Sequence, residues 1–230
     1  VLLRERGIRM PIVVLNADEG SFDLMVAHRL EPEIYNFRSL AFFSKAVERV
    51  GEESYPIHIK LDTGMHRLGF MEGELDMLTE TLGETPSVKV ATIFSHLNCS
   101  DMPQEDRYTR EQIARFDRMS GRLAAALPYP VLRHTANSAA IERFPEAQFD
   151  MCRLGLGLYG FGFEHNDELK PVSTLKSRIV QLKHLSAGEA VGYGRAGKLT
   201  RDSVTATVPM GYADGLDRHL GCGRWSMLVA

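Results

Sequence analysis

The sequence predicts an α/β chain: a partial (β/α)8 TIM barrel followed by the start of a β-rich C-terminal domain. Three observations predict it. Short β-rich runs alternate with longer helical patterns, which is how βαβ units and a parallel sheet read. Polar residues recur just after strand after strand, at Lys60 to Arg67, His96 to Asp101, His134 to Ser138 and Arg153. A barrel sets the C-terminal ends of all its strands around one mouth, and so would gather these groups. Near Pro171 the pattern changes, and apolar and polar residues alternate without a helical period. An open doubly wound sheet competes, but no G-x-G-x-x-G follows an early strand, which weakens its dinucleotide-binding version.

The elements follow in order. VLLRERGIRM reads as the last turns of a helix closing at Gly7, and PIVVL (Pro11 to Leu15) as a buried strand. SFDLMVAHRL is a helix, EIYNF a second strand, and a helix follows from about Ser39 to Val50. IHIKL (Ile57 to Leu61) is the third strand, with a helix around Glu72 to Leu82, and VKVATIFSH (Val88 to His96) is the fourth. A long helix runs from about Gln104 to Leu127 with Ile113, Phe116, Met119 and Leu123 on one stripe. Further apolar runs fall at Val131–Leu132 and Phe149–Arg153. The strands read as apolar on both faces, as helix-covered parallel strands should. The barrel part takes residues 1–170 and ends in the polar linker Glu164 to Pro171; the β part takes 171–230, with alternation in Ser173 to Ser186 and Ser203 to Met210. The chain starts at Val1 rather than Met and stops in WSMLVA, a β-type apolar run, so both ends read as cut.

Composition narrows the class. The 230 residues are 44% hydrophobic with a net charge of −3, enough apolar material for a sizeable core. Lys and Arg are dispersed, so no basic face is expected for nucleic acid or an acidic membrane. No apolar run approaches the ~18 residues that span a bilayer, and no signal or transit peptide is visible. Cys99, Cys152 and Cys222 are odd in number and widely spaced, which argues against a disulfide framework or zinc site and for a reducing, cytoplasmic setting.

Five stretches carry groups suited to chemistry. In IKLDTGMHRLGF (Ile59 to Phe70), Lys60 and Arg67 would face the barrel mouth, and Arg67 could hold a carboxylate or phosphate bidentately. A structural Lys60–Asp62 ion pair with Arg67 opening a surface helix is the simpler reading of the charges alone. In SHLNCSD, His96 at a strand end is a base, a metal ligand or a packing residue. In RHTANSAA, Asn137 and Ser138 open a short helix after His134: a phosphate cradle, or an ordinary N-cap. In FDMCRLGLGLYG, Arg153 ends a strand and the glycines after it permit close approach of a ligand, where barrels often bind phosphate. In AVGYGRAG, Tyr193 is a functional group or a turn aromatic.

Taken together and in order, IKLDTGMHRLGF, HTANSAA, FDMCRLGLGLYG, EAVGYGRAG and VPMGYADGLDR resemble the alanine racemase family, over about Arg4 to Arg218. The resemblance implies a pyridoxal 5'-phosphate (PLP) enzyme on a (β/α)8 barrel with a β domain, a cytoplasmic head-to-tail homodimer with shared active sites, supplying D-alanine for peptidoglycan. It implies that Arg67 binds the substrate carboxylate, that Lys60 is carbamylated and orients Arg67, and that Ser138 with the N–H groups of Gly155 and Leu156 holds the phosphate beside Asn137. Arg153 would face the pyridine nitrogen, held by His96 and His134, and Tyr193 would exchange the α-proton on one face of the partner's cofactor. The family's Schiff-base lysine motif does not occur in these 230 residues, so this chain alone is expected to be inactive. After Tyr193 the chain reads GRAGKL where many members have an Ala-Thr-Tyr run, a departure at the site entrance. Three alternatives stay open: a non-catalytic PLP-binding barrel protein, a broad-specificity amino-acid racemase, and a metal hydrolase using His58, a carbamylated Lys60, His96 and His134.

Overall fold

Five strands run parallel in the order in which the chain makes them: β1 (Val13–Val14), β2 (Glu31–Ile34), β3 (Tyr55–Lys60), β4 (Val88–Phe94) and β5 (Leu132–His134). The structure is a computed structural model, describing residues 1–164, 166–221 and 224. Sequential order without a switch point is what a (β/α)8 barrel requires, and a doubly wound sheet does not have it. The helices are α1 (Leu2–Glu5), α2 (Phe22–Ala27), α3 (Phe37–Arg49), α4 (Leu75–Gly83), α5 (Asp106–Ala126) and α6 (Ser138–Arg143).

Local chemistry sets these elements. Asn36 caps α3: its Oδ1 accepts from Ser39 N at 2.7 Å, and Ser39 Oγ accepts from Asn36 N at 3.4 Å. That cap ends β2 at Ile34, three residues short of the end of the expected EIYNF strand, and the strand starts earlier, at Glu31. In α5 the expected stripe of Ile113, Phe116, Met119 and Leu123 is buried, and Leu75, Leu78 and Leu82 of α4 do the same. The core also takes Phe43, Tyr55, Ile57, Ile59, Leu61 and Phe70, all buried; each such side chain contributes about 1.5–3 kcal/mol on leaving water.

Three expectations need correction. PIVVL forms only the two-residue β1, partly exposed, because Asn16 turns at positive φ and its N–H goes to the Glu33 carboxylate instead of continuing the ladder. Phe149–Arg153 is not a strand: Asp150 N and Arg153 N reach the carbonyls of Arg133 and Ala136, but Phe149 sits at positive φ and breaks the extended run. The strands are not apolar on both faces either, since β2 and β3 bury Glu33, His58 and Lys60.

Two local features position polar groups. Ile57 pairs with Val90 but His58 with Thr92, so Ala91 is an extra residue on β4, and this bulge brings Thr92 opposite His58. Beyond β3, Leu61 bridges to Phe70, with Asp62 N donating to Phe70 O and Phe70 N to Lys60 O, both at 2.9 Å. The loop so closed needs glycine at Gly69, where φ is +128° and a Cβ would lie 2.6 Å from Asp62 N.

The chain divides after Val172 into two compact units. Within the second, β6 (Gln181–Leu185) pairs antiparallel with β9 (Ser203–Thr207), and β7 (Ala190–Val191) with β8 (Gly197–Lys198). Residues 225–230, read above as an apolar β run, and Cys222 lie outside the described residues.

Candidate active site at the strand ends

Arg153 is the hub of the first unit's polar cluster. Its guanidinium donates to Ser95 O at 2.7 Å, to His134 Nδ1 at 2.8 Å and to His96 Nδ1 at 3.1 Å, with Thr135 O at 3.3 Å. Phe94 lies beneath, its ring stacked on His134 and 5.3 Å from the Arg153 guanidinium. Burial, which outweighs the pull of Glu33, brings Arg153 down to about 10, so it stays cationic at neutral pH.

The two imidazoles are held neutral. Burial, with Arg153, Lys60 and Arg67 nearby, brings His96 down to about 4. Burial and Arg153 bring His134 to about 3. A guanidinium only donates, so each Nδ1 is the unprotonated nitrogen. From His134 the bonding continues across the sheet: Nε2 to Thr92 Oγ1 at 3.0 Å, Thr92 Oγ1 to His58 Nδ1 at 2.8 Å, and His58 Nε2 to Glu31 Oε2 at 2.8 Å. One assignment satisfies every proton. His134 Nε2–H donates to Thr92, the Thr92 hydroxyl donates to His58, and His58 Nε2–H donates to the Glu31 carboxylate.

Lys60 does not pair with Asp62. Its Nζ lies 2.7 Å from Glu33 Oε1, both side chains being buried, at an angle outside hydrogen-bond geometry, so the contact is Coulombic. Asp62 instead anchors the loop, accepting from Gly64 N at 2.9 Å, His66 N at 3.0 Å and His66 Nδ1 at 3.2 Å. Burial pushes its carboxyl up, but those N–H groups and the His66 ring outweigh it and hold it below the usual range. Arg67 sits in this loop, exposed, and opens no helix.

Ser138 begins α6, and its Oγ accepts from Gly155 N at 2.9 Å and Gly157 N at 3.2 Å. The N–H groups that reach this hydroxyl are those of Gly155 and Gly157, on either side of Leu156. A Cβ at Gly155 would stand in ordinary contact with that oxygen, at 3.6 Å, whereas one at Gly157 would lie 2.7 Å from Leu154 Cδ1, so Gly157 is the position where a side chain would force a shift. Asn137 is the N-cap of α6, accepting from Ala140 N at 3.0 Å and from Ser100 Oγ at 2.8 Å. In the second unit, Tyr193 opens a turn between β7 and β8 and is fully exposed.

Sequence reasoning missed Glu31, Glu33 and Thr92. Strand alternation was the available signal: Glu31 and Glu33 share one face of β2, as His58 and Lys60 share one of β3. Among the described residues no three His, Cys, Asp or Glu side chains are grouped to hold a metal, and the nitrogens of His58 and His134 are spent on Glu31, Thr92 and Arg153. Burial pushes the Cys152 thiol up, away from a nucleophile's thiolate.

Parallel strands in barrel order, with buried cations and an N–H-lined hydroxyl beyond their C-terminal ends, define an α/β barrel chain. The chain matches the family models for the alanine racemase N-terminal domain over residues 1–162 and the alanine racemase C-terminal domain over 172–230. It belongs to the alanine racemase family. It is 37% identical over 224 residues to the alanine racemase of Sorangium cellulosum, covering 95% of this chain and 59% of that protein. It is 36% identical over 228 residues to that of Clostridium novyi, covering 96% and 58%. Among solved structures, alanine racemase from D-cycloserine-producing Streptomyces lavendulae superposes with TM-score 0.86 at 28% identity, covering 94% of this chain and 59% of that one. Alanine racemase from Bartonella henselae with covalently bound pyridoxal phosphate gives 0.76 at 25%, covering 95% and 60%. The chain therefore spans about 59% of the length of such relatives. No helix among the described residues is long and apolar enough to cross a membrane.

Proposed function

We propose that the protein of which these residues are part is a cytoplasmic, homodimeric PLP-dependent racemase interconverting L- and D-alanine, with D-alanine destined for peptidoglycan. The observation that carries this reading is the fixed Arg153 guanidinium, aimed by two neutral imidazoles and three carbonyls. The residues fit the cofactor. Ser138 with the N–H groups around Gly155 to Gly157 suits a phosphate, which needs donors and no intervening side chain.

Bound there, pyridoxal phosphate supplies an electron sink that acidifies the α-hydrogen of an amino acid. The chain's own residues shape that chemistry. Arg153, still protonated at neutral pH, would face the ring nitrogen of the bound cofactor as a donor and would not give it a proton; that would keep the sink weak and favour prompt return of a proton to the α-carbon. Arg67 takes the substrate carboxylate bidentately. Tyr193 moves the α-proton on one face, across a dimer interface, and a second base on the other face completes inversion. The exposure of Tyr193 supports a role toward a partner subunit. Asn137 acts by capping the helix that carries Ser138.

The test is to load the intact protein with pyridoxal phosphate and follow the optical rotation of L- and D-alanine separately. Each should converge on the racemate. A cofactor-coloured protein that leaves both enantiomers unchanged would indicate a non-catalytic PLP-binding barrel; equal turnover of unrelated amino acids would indicate a broad-specificity racemase.

A further inference from the structure

We propose that the buried contact between Glu33 and Lys60 occupies the place where a lysine carbamate would stand, so that the fixed negative charge at this point is a side-chain carboxylate and Lys60 is not a carbamylation site. The family resemblance implies the opposite, and the packing around Lys60 argues against it. Lys60 Nζ is 2.7 Å from Glu33 Oε1, with the two side chains 8% and 1% exposed. Among the described residues that oxygen has no aligned hydrogen-bond donor, so the Lys60 charge alone compensates it. The other carboxylate oxygen accepts from Asn16 N, which keeps Glu33 from swinging away. The Phe94 ring, 5.8 Å from Nζ, adds a second surface that favours a cation.

Carbamylation runs against each of these contacts. Carbon dioxide adds to a neutral amine: an N–C bond forms, an N–H bond breaks, and the proton leaves to solvent. The ammonium must first give up a proton while facing a buried carboxylate. The product is an anion at contact distance from Glu33, and two buried like charges at that separation are strongly disfavoured. It would also leave the Glu33 charge without its counter-ion, the costly way to break a buried pair. With the pair intact, the place where a carbamate would stand carries a zwitterionic rung between β2 and β3, and Arg67 keeps its charge for the substrate.

The proposal rests on the racemase reading only in setting Lys60 beside Arg67, and its test needs neither cofactor nor turnover. The intact protein is equilibrated with 13C-bicarbonate at mildly alkaline pH and its 13C spectrum recorded. The wild type should show no carbamate carbon, and a 1H–15N spectrum should show a slowly exchanging Lys60 NH3+ group. Glu33→Gln, with circular dichroism confirming the fold, should gain a carbamate resonance that disappears on degassing. A wild-type carbamate signal that Lys60→Arg deletes overturns the proposal. So does a folded Glu33→Gln protein that stays free of carbamate, because Glu33 is then not what prevents it. Should Glu33→Gln fail to fold, the wild-type spectrum still decides.

Discussion

Arg153 donates to Nδ1 of His134 across 2.8 Å, and that bond decides where the imidazole proton sits. With Nδ1 accepting, Nε2 carries the hydrogen, and the order of every later donor follows, through Thr92 and His58 to Glu31. A cation and an anion stand at the two ends of one directed chain of bonds, which strengthen one another in a buried setting.

Thr92 is the joint of that chain. Thr92→Val keeps the shape and removes the hydroxyl, leaving a nitrogen on each of His58 and His134 without its partner in a buried place. Urea denaturation should show a loss of roughly 1–3 kcal/mol, the cost of unsatisfied buried polar groups. An unchanged midpoint and slope would mean that the hydroxyl contributes nothing.

The depressed imidazoles set an acid limit. His96 at about 4 and His134 at about 3 lie below the 6.5 of a free histidine. As pH falls below 6.5 the unfolded chain takes up these protons first, so their contribution to stability is whole above 6.5 and drains away toward pH 4 and then 3. The lowered carboxyl of Asp62 acts in the same direction, its contribution being lost as pH falls through its folded value. In a histidine NMR titration neither ring should protonate above pH 5. Protonation of either near 6.5 in the folded protein contradicts the assignment.

Arg67→Lys tests the carboxylate fork. A lysine keeps the charge but cannot form two parallel bonds, so KM for alanine should rise roughly ten- to a hundredfold, the worth of one charged hydrogen bond. A KM within twofold of wild type would remove Arg67 from substrate binding.

Tyr193→Phe separates the two faces of the substrate. The side chain is fully exposed, so the melting temperature should not move. Loss of an acid–base group costs roughly 10²–10⁴ in rate, and exchange of α-deuterium should collapse from one enantiomer far more than from the other. Equal losses from both rule out the two-base division.

The fold was readable where periodicity is strong. The stripe of Ile113, Phe116, Met119 and Leu123 fixes α5, and the β/α alternation fixes the parallel sheet. The Arg153, His96 and His134 cluster was readable through the family motifs that carry the three residues, although Arg153 lies on a loop and not at a strand end. Glu31 and Glu33 were not, because acidic residues in sequence read as solvated. Alternation sets them on one face of β2, but only pairing with His58 and Lys60 across the β2–β3 ladder shows that this face is buried. Thr92 was hidden for a related reason. Only the extra residue at Ala91 turns it toward His58, and bulges leave little trace in an alternation pattern.

Phe94 has a consequence for mutational scans. Its ring stacks on His134 and lies within reach of both Arg153 and Lys60. Truncating it, or any one of these neighbours, disturbs the same shared interaction, so single alanine substitutions at the four positions should each register that loss. Their sum should exceed the loss of the multiple mutant, and only thermodynamic cycles pairing Phe94 with each neighbour in turn would apportion it.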